Sequence, residues 1–225
     1  MAGSLDGPVS RYLNRRVSVP LAALLRPTPV TPNQVSAMAL LIALAAAVLI
    51  ARGAHVAGGV LVQVSSVVDG VDGDLARAKA MASRFGGLLD AVLDRYADAT
   101  IAAGMAWYAF EREPWPQPLL AGLAAATGFL LVSYSRARIE TEGGRDVTAA
   151  LLGFASRDVR LLALALGAAA GQAYWTLVAV GAFSYATVGW RLWGLRRASS
   201  IGQYSAGETR DMMRGSAGEE PSGRA

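Results

Sequence analysis

The sequence predicts an all-α, polytopic membrane protein: six transmembrane helices preceded by an N-terminal amphipathic surface helix. Three observations carry that expectation. Hydrophobic residues make up 53% of the chain and charged residues only 17%, where a soluble domain carries about a quarter. Apolar stretches close to the length of a bilayer span recur, separated by short polar or Pro/Gly-rich turns. The basic residues are strongly one-sided once those stretches are threaded through a membrane. The absence of cysteine excludes a disulfide, a thiolate nucleophile or a cysteine-bound zinc, and the single His55 excludes a multi-histidine metal site. No tandem repeat is visible. Met1–Asp6 has no basic stretch running into an apolar core, so no cleaved signal peptide is expected.

Residues 1–33 read as a juxtamembrane segment. Arg11, Arg15 and Arg16 alternate with Tyr12, Leu13, Val17, Val19, Leu21 and Leu24, which suits a helix lying on the membrane surface, with a break near Pro20. Pro27 to Pro32 interrupts the chain, and Pro32 fits the first turn of the next helix with Thr31 as its N-cap. The six spans, within residues 34–197, then run roughly Gln34–Ala51, from Val56 into an acidic stretch, Gly86–Phe110, Leu119–Tyr134, Val159–Ala170 and Tyr174–Leu192. The fifth is short and rich in glycine and alanine. Gly58, Gly59, Gln63, Ser65 and Ser66 give the second span a small and polar face suited to packing on other helices rather than lipid. Trp107, Tyr108 and Trp115 suit the interface at the far side, and His55 reads as a surface turn residue. Residues 198–225 are polar and read as a disordered cytoplasmic tail.

Six spans put both termini on one side. Of the 21 lysines and arginines, only Arg52 and Arg112 fall on the other. The positive-inside rule makes the side of the termini the cytoplasm. The acidic stretch lies there too, within reach of a soluble nucleotide.

That stretch holds the chemistry. Asp69 and Asp72 are i,i+3 neighbours on a helix, Asp90 and Asp94 i,i+4 neighbours, and Gly86 lies one turn before Asp90 on the same face. If the chain reverses between Arg77 and Gly86, the two acidic faces meet. Four ionised carboxylates in a small apolar site repel one another and lose hydration. Divalent cations with oxygen ligands relieve both, and Mg²⁺ also binds substrate phosphates. Asp98 continues the face by another turn and is expected to hydrogen-bond a polar neighbour rather than take part in catalysis.

The run D-x-x-D-G-x-x-A-R-x8-G-x-x-x-D-x-x-x-D, filled at every fixed position from Asp69 to Asp94, resembles the signature of the CDP-alcohol phosphotransferases, which are integral membrane enzymes. The resemblance implies that Asp69, Asp72, Asp90 and Asp94 hold a metal centre, two Mg²⁺ or Mn²⁺ ions. It implies that Asp94 is also the general base that takes the proton from the acceptor hydroxyl, with CMP as leaving group. Asp69, Asp72, Gly73, Ala76, Arg77 and Gly86 would form the CDP site, Gly73 and Ala76 because small side chains let the nucleotide approach the helix. It also implies a homodimer. There is no sign of a nucleic-acid partner.

Arg136, Arg138, Arg157, Arg160 and Arg191 cluster at three helix ends on the same side, a pattern that can grip a phosphate bidentately. Family members with phosphorylated acceptors also use a serine near the end of the fourth helix, matched here by Ser135. The acceptor-phosphate site is therefore expected at Ser135, Arg138, Arg157 and Arg191, although the same arginines also satisfy the positive-inside rule. Ser65 to Arg77, Asp94 to Asp98 and Ser156 to Arg160 look most like the branch making di-myo-inositol phosphate phosphate from CDP-inositol and inositol 1-phosphate. The alternative is phosphatidylinositol phosphate synthesis from CDP-diacylglycerol. Intramembrane acids also mark ion-coupled transporters, but those favour inverted repeats and charges at the midplane. Here the acids gather at helix ends.

Overall fold

In the computed structural model, residues 7–112, 114, 117–141 and 156–216 are described, with side chains as far as Arg197. Trp115, the loop of residues 142–155 and the end of the tail, 217–225, lie outside them. Among the described residues every regular element is helical: a π-helical turn, Ser10–Asn14, leads into α1 (Arg15–Leu25), followed by α2 (Pro32–Ala51), α3 (His55–Ala78), α4 (Arg84–Arg112), α5 (Pro118–Thr141), α6 (Arg157–Ala169) and α7 (Ala173–Ser216).

Local sequence explains the boundaries that position the site. Thr31 and Gln34 form a reciprocal capping box and Pro32 opens α2. α3 ends at Ala78 and the chain reverses through Ala80, which takes a left-handed φ of 55°. Lys79 fastens this turn, its Nζ donating to the carbonyls of Thr28 at 2.7 Å and Val30 at 2.6 Å. Ser83 starts α4 by accepting from the Gly86 N–H at 3.0 Å. Pro20 does not break α1, which runs straight through it. The carbonyl that loses its partner belongs to exposed Arg16, so groups outside the helix can satisfy it. α7 continues as helix to Ser216, past the domain boundary drawn at Arg197.

α3 and α4 each pack on α2 rather than along one another, α6 lies on α3, and α5 and α7 pair. Small residues permit these close crossings. A Cβ on Gly104 of α4 would lie 2.5 Å from the Ala47 carbonyl oxygen of α2, and one on Gly59 of α3 would lie 2.5 Å from that of Ala165 on α6. Ile50, Val62, Ile101, Met105, Phe129 and Leu164 fill the centre. A smaller cluster, Ala22, Val35, Val71 and Leu75, seats α1 beneath the acidic end of α3. Polar contacts hold the N-terminal segment there as well: Asn14 Nδ2 donates to Ser66 Oγ at 3.1 Å, and Ser18 Oγ to Asp74 Oδ2 at 2.9 Å.

Large apolar side chains point outward from every long helix, among them Leu41, Val60, Phe110, Leu123, Leu166 and Leu192. α2 and α5 are each long and apolar enough to cross a membrane.

Candidate active site

The turn at residues 79–83 brings the two acidic faces together. One carboxylate oxygen each from Asp69, Asp90 and Asp94 lies within 4.8 Å of the others. Asp72, on the same end of α3, is 8% exposed and accepts from Ser36 Oγ and from the Gly73 N–H. Asp72 and Asp90 line a cavity of about 200 Å³, together with Asn33, Ser36, Gly73, Ala76, Arg77, Ser83 and Gly86. The expected nucleotide residues Gly73, Ala76, Arg77 and Gly86 therefore share one cavity wall with two of the acids. Arg77 reaches back to Asp74 at 2.7 Å.

On the other side of the acids stand arginines. Arg157, the first residue of α6, places Nη1 2.6 Å from Asp69 Oδ2 and 2.8 Å from Asp94 Oδ1, and its Nε donates to Asp98 Oδ1 at 3.0 Å. Arg95 pairs with Asp94 Oδ2 at 3.2 Å. Arg160 is buried 3.9 Å from Asp98 Oδ2, with its guanidinium over the Phe129 ring. Arg191, 5% exposed, donates to Ser135 Oγ at 3.0 Å and to the Val132 carbonyl at 2.6 Å. So the structure joins Ser135 to Arg191, places Arg157 among the carboxylates, and leaves Arg138 exposed near the end of α5. Asp98 finds the polar neighbour expected of it, in Arg157.

Sequence reasoning missed Ser36 and Asn33. Their signal was faint: two polar residues one helical turn apart at the start of an otherwise apolar span. Sequence reasoning counted Arg160 in the basic cluster but gave it no role, and the structure buries it beside Asp98.

The donor set suits a hard divalent cation. It is all carboxylate oxygen, with no cysteine or histidine in the group. Asp94 Oδ1 is buried and receives no hydrogen bond of good geometry despite its ion pair with Arg157. Clustered carboxylates between a small cavity and a bank of guanidinium groups are the groups that metal-assisted phosphoryl transfer calls for. The chain belongs to the CDP-alcohol phosphatidyltransferase family, whose model matches residues 29–193. That family consists of transferases, which counts against the transporter alternative.

A bifunctional IPC transferase and DIPP synthase of Rubrobacter xylanophilus is 45% identical over 199 residues, which is 88% of this chain and 45% of that protein. The chain spans less than half the length of the bifunctional relatives it matches. Among solved structures, the phosphatidylinositol phosphate synthase of Mycobacterium tuberculosis with CDP-DAG bound superposes with a TM-score of 0.67 at 28% identity, over 79% of this chain and 92% of that one. The same enzyme in complex with manganese and citrate gives 0.67 at 27% identity, over 78% and 87%.

Proposed function

We propose that this protein transfers a substituted phosphate from CDP-inositol to the hydroxyl of inositol 1-phosphate and releases CMP. The observation that carries this reading is the convergence of Asp69, Asp90 and Asp94 within 4.8 Å beside a cavity walled by Asp72, Gly73, Ala76 and Gly86. Two Mg²⁺ or Mn²⁺ ions held by Asp69, Asp72, Asp90 and Asp94 would neutralise the diphosphate and the departing CMP. Gly73, Ala76, Arg77 and Gly86 seat the nucleotide. Asp94 takes the proton of the acceptor hydroxyl, and that oxygen attacks the phosphorus bearing the donor's alcohol. Ser135, Arg138, Arg157 and Arg191 hold the acceptor's phosphate. Support for an inositol-based pair comes from the 45% identity to the DIPP synthase relative.

A second reading has a specific observation in its favour. The M. tuberculosis enzyme that superposes on this fold holds CDP-DAG, and a diacylglycerol donor would use the same nucleotide cavity. In both readings α2 to α7 cross the bilayer, with the site and both termini cytoplasmic and the protein a homodimer. The outward apolar side chains of these helices support the crossings.

The deciding experiment is a panel of CDP-inositol and CDP-diacylglycerol against inositol 1-phosphate, inositol and glycerol 3-phosphate, with CMP release and product mass as readouts. CMP release with inositol 1-phosphate and CDP-inositol is the expected result. Use of unphosphorylated acceptors alone would refute the assigned phosphate pocket.

A further inference from the structure

Arg157 pairs with two of the acids that could hold a metal ion. Its Nη1 bridges Asp69 and Asp94 at 2.6 and 2.8 Å while its Nε holds Asp98 at 3.0 Å. Asp69 and Asp94 are two of the three acids close enough together to hold a metal. A divalent ion on those carboxylates and a guanidinium on the same carboxylates repel each other at close range. The two cations therefore compete.

We propose that Arg157 is an internal counter-ion that divalent cations displace, and that the displaced guanidinium becomes available to the acceptor's phosphate. Before metal binds, Arg157 offsets the repulsion among the acids and holds α3, α4 and α6 in register. When metal takes Asp69 and Asp94, Nη1 leaves them, while Asp98 keeps Nε and acts as the pivot. Asp98 lies one turn deeper on α4 and is 3% exposed, so it is suited to remain fixed. The released group joins Arg160, which lies one turn further along α6 and shares Asp98. Arg160 is itself short of acceptors, since its buried Nε and Nη1 have no hydrogen-bond partner among the described residues. Metal loading thus adds a donor beside Arg160, whose own donors are already under-satisfied. Metal and phosphate binding become positively coupled, by the same factor in either direction.

The inference rests on the reading of the acids as a cation site, and the test separates the two. The full chain, purified in lipid nanodiscs without donor, is titrated with Mn²⁺ by the EPR signal of the free ion. Inorganic phosphate binding is measured calorimetrically with and without saturating Mg²⁺. Arg157→Gln is expected to bind Mn²⁺ about tenfold more tightly than the unaltered chain, because the competitor is gone. Mg²⁺ is expected to strengthen phosphate binding about tenfold in the unaltered chain, within the usual range of such couplings, and to have no effect on it in Arg157→Gln. Arg157→Lys keeps the charge without the fork. It should retain weak Mn²⁺ binding and show a smaller Mg²⁺-driven gain in phosphate affinity. Mn²⁺ affinity that is unchanged or weaker in Arg157→Gln overturns the inference, as does a phosphate gain that persists there. If Arg157→Gln does not fold, phosphate binding indifferent to Mg²⁺ in the unaltered chain overturns it. An unaltered chain that binds no Mn²⁺ refutes the cation site itself.

Discussion

Asp94 and Asp98 lie one turn apart on α4 and both pair with Arg157, yet they should respond to the same substitution in opposite ways. Asp94 sits in the carboxylate cluster, and its Oδ1 has an ion pair but no well-formed hydrogen bond. That leaves it free for chemistry. Asn at this position keeps the size and can still meet Arg157 and Arg95, but it cannot accept a proton. A general base is worth about 10²–10⁴ in rate. Loss of a metal-binding charge adds to that, so Asp94→Asn should lower CMP release by at least about 10³, or about 4 kcal/mol of barrier. Stability should barely change, since Arg157 keeps Asp69 at 2.6 Å and Asp98 at 3.0 Å. Asp98→Asn removes the only carboxylate within ion-pair distance of Arg160 among the described residues. It should destabilise the fold by about 2–3 kcal/mol, the usual cost of a buried charged hydrogen bond, while kcat per folded enzyme falls less than about tenfold. The assays are CMP release with saturating acceptor and the denaturant midpoint in detergent. Near-normal CMP release by a folded Asp94→Asn protein would refute the base assignment. So would loss of stability in that variant equal to the loss in Asp98→Asn.

Three further outcomes follow from the same geometry. Ser135→Ala and Arg191→Lys should each raise the KM for a phosphorylated acceptor about tenfold, on the scale of one charge-assisted hydrogen bond, with the KM for the CDP donor unchanged; steady-state kinetics with each substrate varied separates the two. EDTA should abolish CMP release and Mg²⁺ or Mn²⁺ should restore it, whereas Ca²⁺, which prefers more ligands and longer bonds, should restore little; metal-replacement assays decide this. Gly104→Val should destabilise the fold by about 2 kcal/mol or more, because even its Cβ meets the Ala47 carbonyl oxygen at 2.5 Å, and the fraction of monodisperse folded protein in detergent reports it.

Helix existence was legible because hydropathy and punctuation agree. Pro32 behind Thr31 marks the start of α2 without ambiguity, and the Asp spacing within α3 and α4 requires each pair to share a face. The reversal that joins the pairs was only conditional in the sequence. It depends on Lys79 reaching two carbonyls far back in the chain and on a left-handed Ala80, neither of which has a local signature. Arg157 was legible as a basic residue at a helix start but not as a partner of Asp69, 88 residues away. That contact depends on α6 packing on α3 through Gly59, a tertiary event that no local pattern encodes. The faint signal of Ser36 went unread for a similar reason, since a serine in an apolar span has no assignable role until α3 brings Asp72 against it.

The order of groups along α4 bears on how donor and acceptor meet. Asp90 lines the cavity that holds Gly73, Ala76 and Gly86. Asp94 contacts Arg157, and Asp98 contacts Arg157 and lies nearest Arg160. Each step of four residues advances about 6 Å along the helix. One face of one rigid helix therefore runs from the cavity, past the candidate base, to the guanidinium bank over about 12 Å. In-line displacement at phosphorus needs the nucleophile and the leaving group on opposite sides of the reacting atom. On the proposed assignment, a CMP group in the cavity and an acceptor phosphate on the arginines would approach Asp94 from opposite ends of this face. The acceptor hydroxyl would then arrive beside Asp94, on the side away from CMP. One turn earlier on α4 stands Asp90, on the cavity wall, and one turn later stands Asp98, held by Arg157. Of the three, Asp94 alone lies between cavity and arginines, which is the place the proposed reaction requires of its base.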